Sequence, residues 1–450
     1  MKKTVCLLLT FVLLLSACTA RPADTPVNAT TTVSTTTAGE ITTTTGTVLS
    51  SGLPSDTTSA SVTGTTTTAA FGSSATTSTT VTTTTATTQT PTTTTTTQPT
   101  KPVDEVQAVW VASIINLDFP SAPGLSADQL KGECDAIVAN AKAMGLNTVY
   151  FQVRPSGDAL YPSTIFPSSA YVVPNQGDAL PLDLLDYMLT VAHREGLKLY
   201  AWVNPVRVRH TEEDVLHSSN PAVLYPERAV SCSDGKTYYN LGLPEVRTMI
   251  ADGVAEIVQN YAVDGVVFDD YFYPYGGIDF DDADAFAMYG AGKTLADFRR
   301  ASVNQLIKAC YNRVKALRAE CLFGVAPFGI RKNSDAGTDG MEAYSKIYCD
   351  PVAWVQGSYV DFIEPQLYWS LDDKSAPFRA LADYWARTVS GTDVQLRVAL
   401  APYKYVEGNY TPGEITRQVT YLRGLPAYSG CSLFRYTFLQ PPDEYEELFK

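Results

Sequence analysis

The sequence predicts an α/β fold, a (β/α)8 TIM barrel preceded by a disordered Thr-rich stalk. Three observations carry this expectation. From about residue 104 onward, eight apolar β-type segments alternate with amphipathic helical segments over about 350 residues, the length and rhythm of such a barrel. No Gly-rich phosphate loop follows any of those strands, which disfavours an open doubly wound sheet. Before residue 104 the chain is mostly Thr, with Ser, Ala, Gly and Pro, and it has little to bury.

The strand candidates are residues 107–113, 147–153, 197–203, 265–270, 322–326, 362–369, 395–401 and 431–437. Helical periodicity covers 127–144, 182–195, 244–261, 295–319, 340–357, 376–389 and 412–423, with a short final helix at 443–448. Ser126 is placed to cap the first helix, Gly145 to end it and Pro244 to open the third.

The N-terminus has the form of an export signal. Lys2 and Lys3 precede a largely apolar run of about eleven residues, and Leu15-Ser16-Ala17 precede Cys18. The run is too short to span a bilayer, which takes ~20 residues. A Cys after Leu-Ser-Ala resembles the bacterial lipoprotein signal. That resemblance implies that residues 1–17 are removed and that lipidated Cys18 anchors an extracytoplasmic protein to the membrane. Residues 18–103 then form a linker that cannot offset the entropy of ordering. Such Ser/Thr-rich stalks are often O-glycosylated. As a coil of about 80 residues it would span on the order of 50 Å.

The formal net charge is −14. Within residues 1–100, Lys2, Lys3 and Arg21 cancel Asp24, Glu40 and Asp56, so the whole −14 belongs to 101–450. An acidic surface argues against nucleic acid as a partner and is indifferent to neutral glycan. Beyond the signal, Cys134, Cys232, Cys310, Cys321, Cys349 and Cys431 show neither C-x-x-C nor zinc-finger spacing. No metal site is expected and no cofactor is implied; disulfides and buried thiols are equal readings. His193, His210 and His217 lack matched partners and read as surface residues. Oligomeric state is not legible.

In a (β/α)8 barrel the chemistry gathers at the C-terminal ends of the strands. Side chains alternate along a strand. Val149, Phe151 and Val153 share one face, with Tyr150, Gln152 and Arg154 on the other. Leu199, Ala201 and Val203 oppose Tyr200, Trp202 and Asn204, and Ile363, Pro365 and Leu367 oppose Glu364, Gln366 and Tyr368. The apolar faces should meet the helices. Burying the polar sets without partners would be costly. Three strands ending this way predict a wet, sugar-sized pocket, with amides and Arg for hydroxyls and rings for sugar faces.

The fourth strand ends in Asp269-Asp270-Tyr271, and Asp264 precedes it, where it makes the turn into the strand. Adjacent Asp269 and Asp270 should point to opposite sides, one into the pocket and one bracing a loop. Glu364 is the natural second carboxylate, because glycosidases need one protonated acid and one ionised base or nucleophile. Competing structural readings are a loop-shaping Asp269–Asp270 pair and a buried ion pair of Glu364 with Arg154 or Arg331. The candidate catalytic residues are thus Asp269, Asp270 and Glu364. The candidate sugar contacts are Gln152, Arg154, Trp202, Asn204, Tyr271, Arg331, Gln366, Tyr368 and Trp369.

Several stretches carry a family resemblance. They include Val109-Trp110-Val111-Ala112-Ser113, Gln152-Val153-Arg154-Pro155-Ser156-Gly157-Asp158-Ala159 and Ala201-Trp202-Val203-Asn204-Pro205-Val206-Arg207-Val208. Further on come Asp264-Gly265-Val266-Val267-Phe268-Asp269-Asp270-Tyr271-Phe272-Tyr273-Pro274, Ala326-Pro327-Phe328-Gly329-Ile330-Arg331 and Pro365-Gln366-Leu367-Tyr368-Trp369. Together they resemble the bacterial glycosyl-hydrolase-like family 10, across residues 105–440. The resemblance implies a cell-envelope lipoprotein whose barrel cleaves peptidoglycan glycan stripped of its peptides.

The fourth strand is also similar to the chitinase signature Asp-Gly-x-Asp-x-Asp-x-Glu. Aligned on Asp264, Asp269 matches its last Asp and Tyr271 stands where the acid Glu would be, so that mechanism does not carry over intact. The family pattern often has a small or apolar residue where this chain has Glu364, which shifts weight to Asp269 and Asp270. The expected function is hydrolysis of a β-linked, N-acetylated wall glycan. A non-hydrolytic glycan-binding envelope lipoprotein is the alternative, and a transferase or scaffold in wall assembly a third.

Overall fold

A computed structural model of the chain describes residues 105–275, 279–439 and 446–449. The expected signal, lipidated Cys18 and Thr-rich stalk lie outside the described residues. In chain order the strands are β1 (Val106–Val111), β2 (Thr148–Arg154), β3 (Lys198–Val203), β4 (Arg207–Arg209), β5 (Ala229–Ser231) and β6 (Thr237–Tyr239). Then come β7 (Gly265–Phe268), β8 (Leu322–Val325), β9 (Phe362–Ile363), β10 (Gln395–Leu400) and β11 (Tyr428–Leu433). Eight of them close a parallel barrel in the order β1-β2-β3-β7-β8-β9-β10-β11, and β11 pairs back to β1. The predicted (β/α)8 architecture is the one observed.

Helices start where their caps place them. The Ser126 side chain accepts from Gln129 N and opens the helix Ala127–Ala143 with a capping box. Pro244 occupies the first turn of Pro244–Asn260, where its missing N–H does no harm. The segment expected as one helix over 340–357 forms Ala343–Lys346 and Pro351–Gln356 instead. Between them Tyr348 has φ of 53°, which a right-handed helix excludes.

Alternation sorts the strand side chains into two layers. Val109, Val111, Val149, Phe151, Leu199, Ala201 and Phe268 join the core between barrel and helices. Burying each larger apolar side chain contributes ~1.5–3 kcal/mol. Trp110, Tyr150, Tyr200, Trp202, Val267 and Phe362 fill the barrel itself. Rings take the place usually held by branched aliphatics. Tyr200 fits because its ring lies across Gly265 of β7, where a Cβ has no room.

One side chain breaks the alternation. Between Gln152 and Arg154 the β2–β3 register shifts, so Gln152 pairs with Trp202 but Arg154 with Val203. An extra residue in a ladder re-aims the side chain after it. Arg154 therefore leaves the barrel and enters the layer under the helices, stacked 3.7 Å from the Phe166 ring centroid. Gly253, inside the helix Pro244–Asn260, makes space for it: a Cβ there would lie 2.8 Å from Arg154 Nη1.

Two strands differ from expectation at their ends. The ladder expected over 362–369 covers only Phe362–Ile363, followed by two isolated bridges at Gln366, to Phe328 and Ala399, because Pro365 has no N–H to donate. The last strand begins at Tyr428 and stops at Leu433. The loop after β3 carries a small antiparallel sheet of order β4-β6-β5, which periodicity did not reveal. All six cysteines of the barrel are buried free thiols. The short final helix is Glu446–Phe449, and the start of the expected 443–448 segment lies outside the described residues.

Candidate active site

The floor of the site is aromatic. Trp110 and Trp202 meet edge to face with ring centroids 5.0 Å apart, and Trp110 meets Tyr150 at 4.7 Å. Above them Phe434 contacts Trp110 at 6.5 Å and Trp202 at 6.3 Å. Tyr368 stacks on Phe434 at 5.9 Å and 28°, and Tyr403 closes the same wall at 6.0 Å from Tyr368. Tyr271 stands exposed beside them. Half-exposed rings over an apolar floor suit the faces of sugar rings.

Strand β7 ends at Phe268 and delivers Asp269 and Asp270 to this mouth, 6% and 2% exposed. Asp269 faces β3. Its Oδ2 accepts the Trp202 indole N–H at 3.1 Å, and Asn204 Nδ2 donates to both carboxyl oxygens at 3.1 Å. Burial pushes the Asp269 carboxyl up, while Arg207 and these donors oppose the rise. Asp270 faces the other way, where the Tyr275 hydroxyl donates to its Oδ2. Burial pushes Asp270 up to about 7, the charge of Asp269 adds to the rise, and Tyr275 and Gln366 oppose it. The two carboxyls diverge as alternation predicts, yet both belong to one buried site and each acts on the other.

Glu364 lies inside the barrel rather than at its mouth. It is 0% exposed, and its Oε2 accepts the Tyr150 hydroxyl at 2.8 Å. Arg397 donates to that same hydroxyl at 3.0 Å and to Tyr200 at 3.2 Å. Burial pushes the Glu364 carboxyl up, and Arg397 opposes this, not Arg154 or Arg331. Buried among Tyr150, Tyr200 and Arg397, it braces the core.

Several expected sugar contacts are spent on the protein. Gln152 Oε1 accepts from Ser113 N and Ile114 N, both at 2.9 Å, and so holds the loop after β1. Asn204 is fully buried and grips Asp269, while its Oδ1 accepts from Arg207 N at 2.8 Å. Trp202 is floor and donor to Asp269. Arg331 pairs with Asp335 at 2.8 Å and Asp350 at 3.4 Å, which takes it out of the site. Arg154 faces the opposite layer. Gln366 donates to Ala326 O at 2.9 Å beside Asp270. Trp369 is half-buried, edge to face with Phe328 at 5.6 Å. A surface depression of about 480 Å³, bordered by Tyr161, Thr164, Phe166, Gly177 and Ser219, includes none of these groups.

Tyr275, Tyr403, Phe434 and Arg207 belong to the site and went unassigned in the sequence. Phe434 follows Leu433 with the opposite facing, a signal that alternation contains. Arg207 opens the short strand β4, Tyr403 opens the helix Tyr403–Val406 and Tyr275 follows β7, all beyond the ends of the barrel strands, where barrel alternation is silent.

The family model for glycosyl hydrolase-like 10 matches residues 105–412, which hold both Asp residues and most of the barrel. The chain belongs to the glycosyl hydrolase-like 10 family. It is 36% identical over 347 residues to Glycosyl hydrolase YngK of Bacillus subtilis (strain 168), covering 73% of this chain and 68% of that protein. It is 32% identical over 369 residues to Glycosyl hydrolase DigH of Escherichia coli (strain K12), covering 75% of this chain and 84% of that one. The PgaB (BpsB) glycoside hydrolase domain from Bordetella bronchiseptica superposes with a TM-score of 0.55 at 15% identity, covering 78% of this chain and 99% of that domain. At that identity the likeness concerns the fold. As a member of glycosyl hydrolase-like 10, the chain is a glycoside hydrolase.

Proposed function

We propose that this glycosyl hydrolase-like 10 member hydrolyses β-linked bonds in N-acetylated, peptidoglycan-type wall glycan. The observation that carries the reading is the contrast between two neighbouring carboxyls. Asp270, pushed up to about 7, is protonated in much of the protein near neutral pH. Burial pushes Asp269 up as well, but its carboxyl accepts from Trp202 and Asn204 and lies in the field of Arg207, all of which oppose that rise and favour the ionised form. Titratable pairs whose environments separate them take the acid and base roles.

Asp270 is the general acid. It passes its proton to the glycosidic oxygen as the bond from that oxygen to the anomeric carbon breaks. Asp269 is the ionised partner. It stabilises positive charge at the anomeric carbon and takes a proton from the incoming water. Water adds across the bond, leaving Asp270 ionised and Asp269 protonated; Asp269 then gives its proton to solvent and Asp270 takes one up, which restores the starting forms. Trp202 and Asn204 position Asp269; Tyr271, Tyr368 and Trp369 offer ring faces to the sugars. Glu364 takes no part. The N-terminal sequence supports an extracytoplasmic lipoprotein anchored through Cys18, which places the enzyme beside its substrate.

The test uses the full-length chain with peptide-free peptidoglycan strands and with chitin oligomers, and measures new reducing ends. Release from wall strands is expected, with loss in Asp269→Asn and Asp270→Asn. Strand binding without release by the wild-type protein overturns the mechanism. Incorporation of labelled fatty acid, abolished in Cys18→Ala, tests the anchor.

A further inference from the structure

The structure also points to the feature of the substrate that the site selects. The cations near the barrel mouth are mostly accounted for. Arg435 pairs with Asp118 at 2.6 Å, Lys404 with Glu407 at 3.0 Å and Arg331 with Asp335 at 2.8 Å. Arg207 differs. It is 7% exposed, and among the described residues no carboxylate oxygen lies within 4.0 Å of it. Its Nη1 donates to Pro155 O at 2.8 Å, which uses one of five N–H donors. Its guanidinium lies 4.8 Å from the centroid of the exposed Tyr271 ring. It is also the foremost charge opposing the rise of the Asp269 carboxyl.

A mostly buried guanidinium without a contacting counter-charge is unusual, because desolvating a charge is costly unless it is paired. Here the guanidinium lies against the exposed Tyr271 ring and acts on the Asp269 carboxyl, so it stands beside the glycan site. Guanidinium forks match carboxylates in shape and charge. The rest of the chain is strongly acidic, with a formal net charge of −14, so the surface at large repels anions. A local cation held at the mouth is what lets one acidic substituent enter.

We infer that Arg207 is a specificity-determining residue that receives a carboxylate carried by the sugar bound beside Asp269. The preferred glycan thus contains an acid-bearing sugar, such as the lactyl-substituted sugar of wall strands, and not neutral amino sugars alone. The inference rests on the glycan-hydrolase reading above. Its position is set by the bond from Arg207 N to Asn204 Oδ1, which starts β4 beside the catalytic carboxylate.

The test uses full-length wild type, Arg207→Gln and Arg207→Lys. The substrates are peptide-free wall strands with free lactyl carboxylates and the same strands with those groups converted to methylamides. Both kcat and KM are measured across pH, and affinity for both strands is measured by calorimetry with Asp270→Asn in each background. Wild type is expected to favour free-acid strands by about tenfold or more in kcat/KM, mainly through KM. In Arg207→Gln that preference falls to near one, and Arg207→Lys restores part of it. The calorimetric affinities should show the same loss of preference.

An equal fall on both strands with a shifted acid limb of the pH profile overturns the inference, since Arg207 would then act only on Asp269. Wild-type indifference to amidation overturns it too. Absence of turnover on every strand overturns the hydrolytic reading instead. The calorimetric preference and its dependence on Arg207 still decide the recognition role in that case.

Discussion

The Trp202 indole N–H lies 3.1 Å from Asp269 Oδ2, so the ring that closes the barrel floor also orients a carboxylate at the mouth. Trp202→Phe keeps an aromatic floor and removes the donor. A hydrogen bond to a charged group contributes about 1.5–3 kcal/mol. Turnover should fall about 10- to 100-fold with KM little changed. The acid limb of the pH–rate profile should move up, because Asp269 loses a group that favours its ionised form. Steady-state kinetics across pH check this. An unchanged profile would show that the indole serves only as packing.

Asp270 links activity to stability. As general acid it must be protonated, so turnover should decline as pH rises through about 7. Asp269 must be ionised, so turnover should also decline as pH falls through its own raised value. For stability the sign follows from the raised folded-state value. The contribution of the protonated Asp270 is fully present below the unfolded value of about 4 and is lost as pH rises through about 7. At about 1.4 kcal/mol per pH unit, full ionisation withdraws about 4 kcal/mol. Asp270→Asn should therefore abolish turnover and raise Tm at pH 8, with little change at pH 4. Calorimetric Tm at the two pH values is the check, and a lower Tm at pH 8 contradicts the assignment.

The barrel was legible because it rests on alternation. Tyr150, Tyr200 and Trp202 face inward as their positions dictate, and Val149, Phe151 and Leu199 face the helices. Arg154 was misplaced because the register shift after Gln152 is a pairing event between β2 and β3 that one strand's sequence does not display. Gln152 and Asn204 were legible as inward-facing polar groups and read as sugar contacts; what they hold instead was not legible, since Ser113 follows β1 and Asp269 follows β7. Arg207 was legible only as part of a family stretch. Its importance depends on Asn204, Pro155 and Tyr271 meeting it in space.

Glu364 should prove structural. Glu364→Gln reproduces the shape of the protonated acid that burial favours. Turnover should stay within about threefold of wild type, with an unchanged pH–rate profile, against the loss of about a hundredfold or more expected at a catalytic carboxyl. Glu364→Ala leaves the Tyr150 hydroxyl without its acceptor and opens a void, so it should lower stability by about 2–4 kcal/mol. Chemical denaturation with parallel kinetics separates the two. Loss of turnover in a stably folded Glu364→Gln protein would return Glu364 to the mechanism.

Arg154 offers the sharpest contrast between a residue's chemistry and its position. It is 0% exposed, and none of its guanidinium nitrogens has a hydrogen-bond partner among the described residues. Burial pushes its pKa down. Stacking on Phe166 at 3.7 Å returns about 2 kcal/mol when desolvated. Removing a charge from water costs several kcal/mol even after relaxation, so the stacking does not offset it. Glu256 acts on Arg154 from a distance, but its oxygens are taken by Ser163 and Thr164. Arg154→Met keeps the apolar stem against Phe166 and removes the charge, so it should raise stability by about 1–3 kcal/mol. Arg154→Ala should lower it by about 2–4 kcal/mol, because the vacated layer cannot collapse onto Gly253. Neither variant should change KM for wall glycan, since the side chain faces away from the mouth. Denaturant unfolding and steady-state kinetics on both variants decide it. A fall in glycan affinity for a stable Arg154→Met protein would put the guanidinium back in the pocket, on the face that simple alternation assigns it.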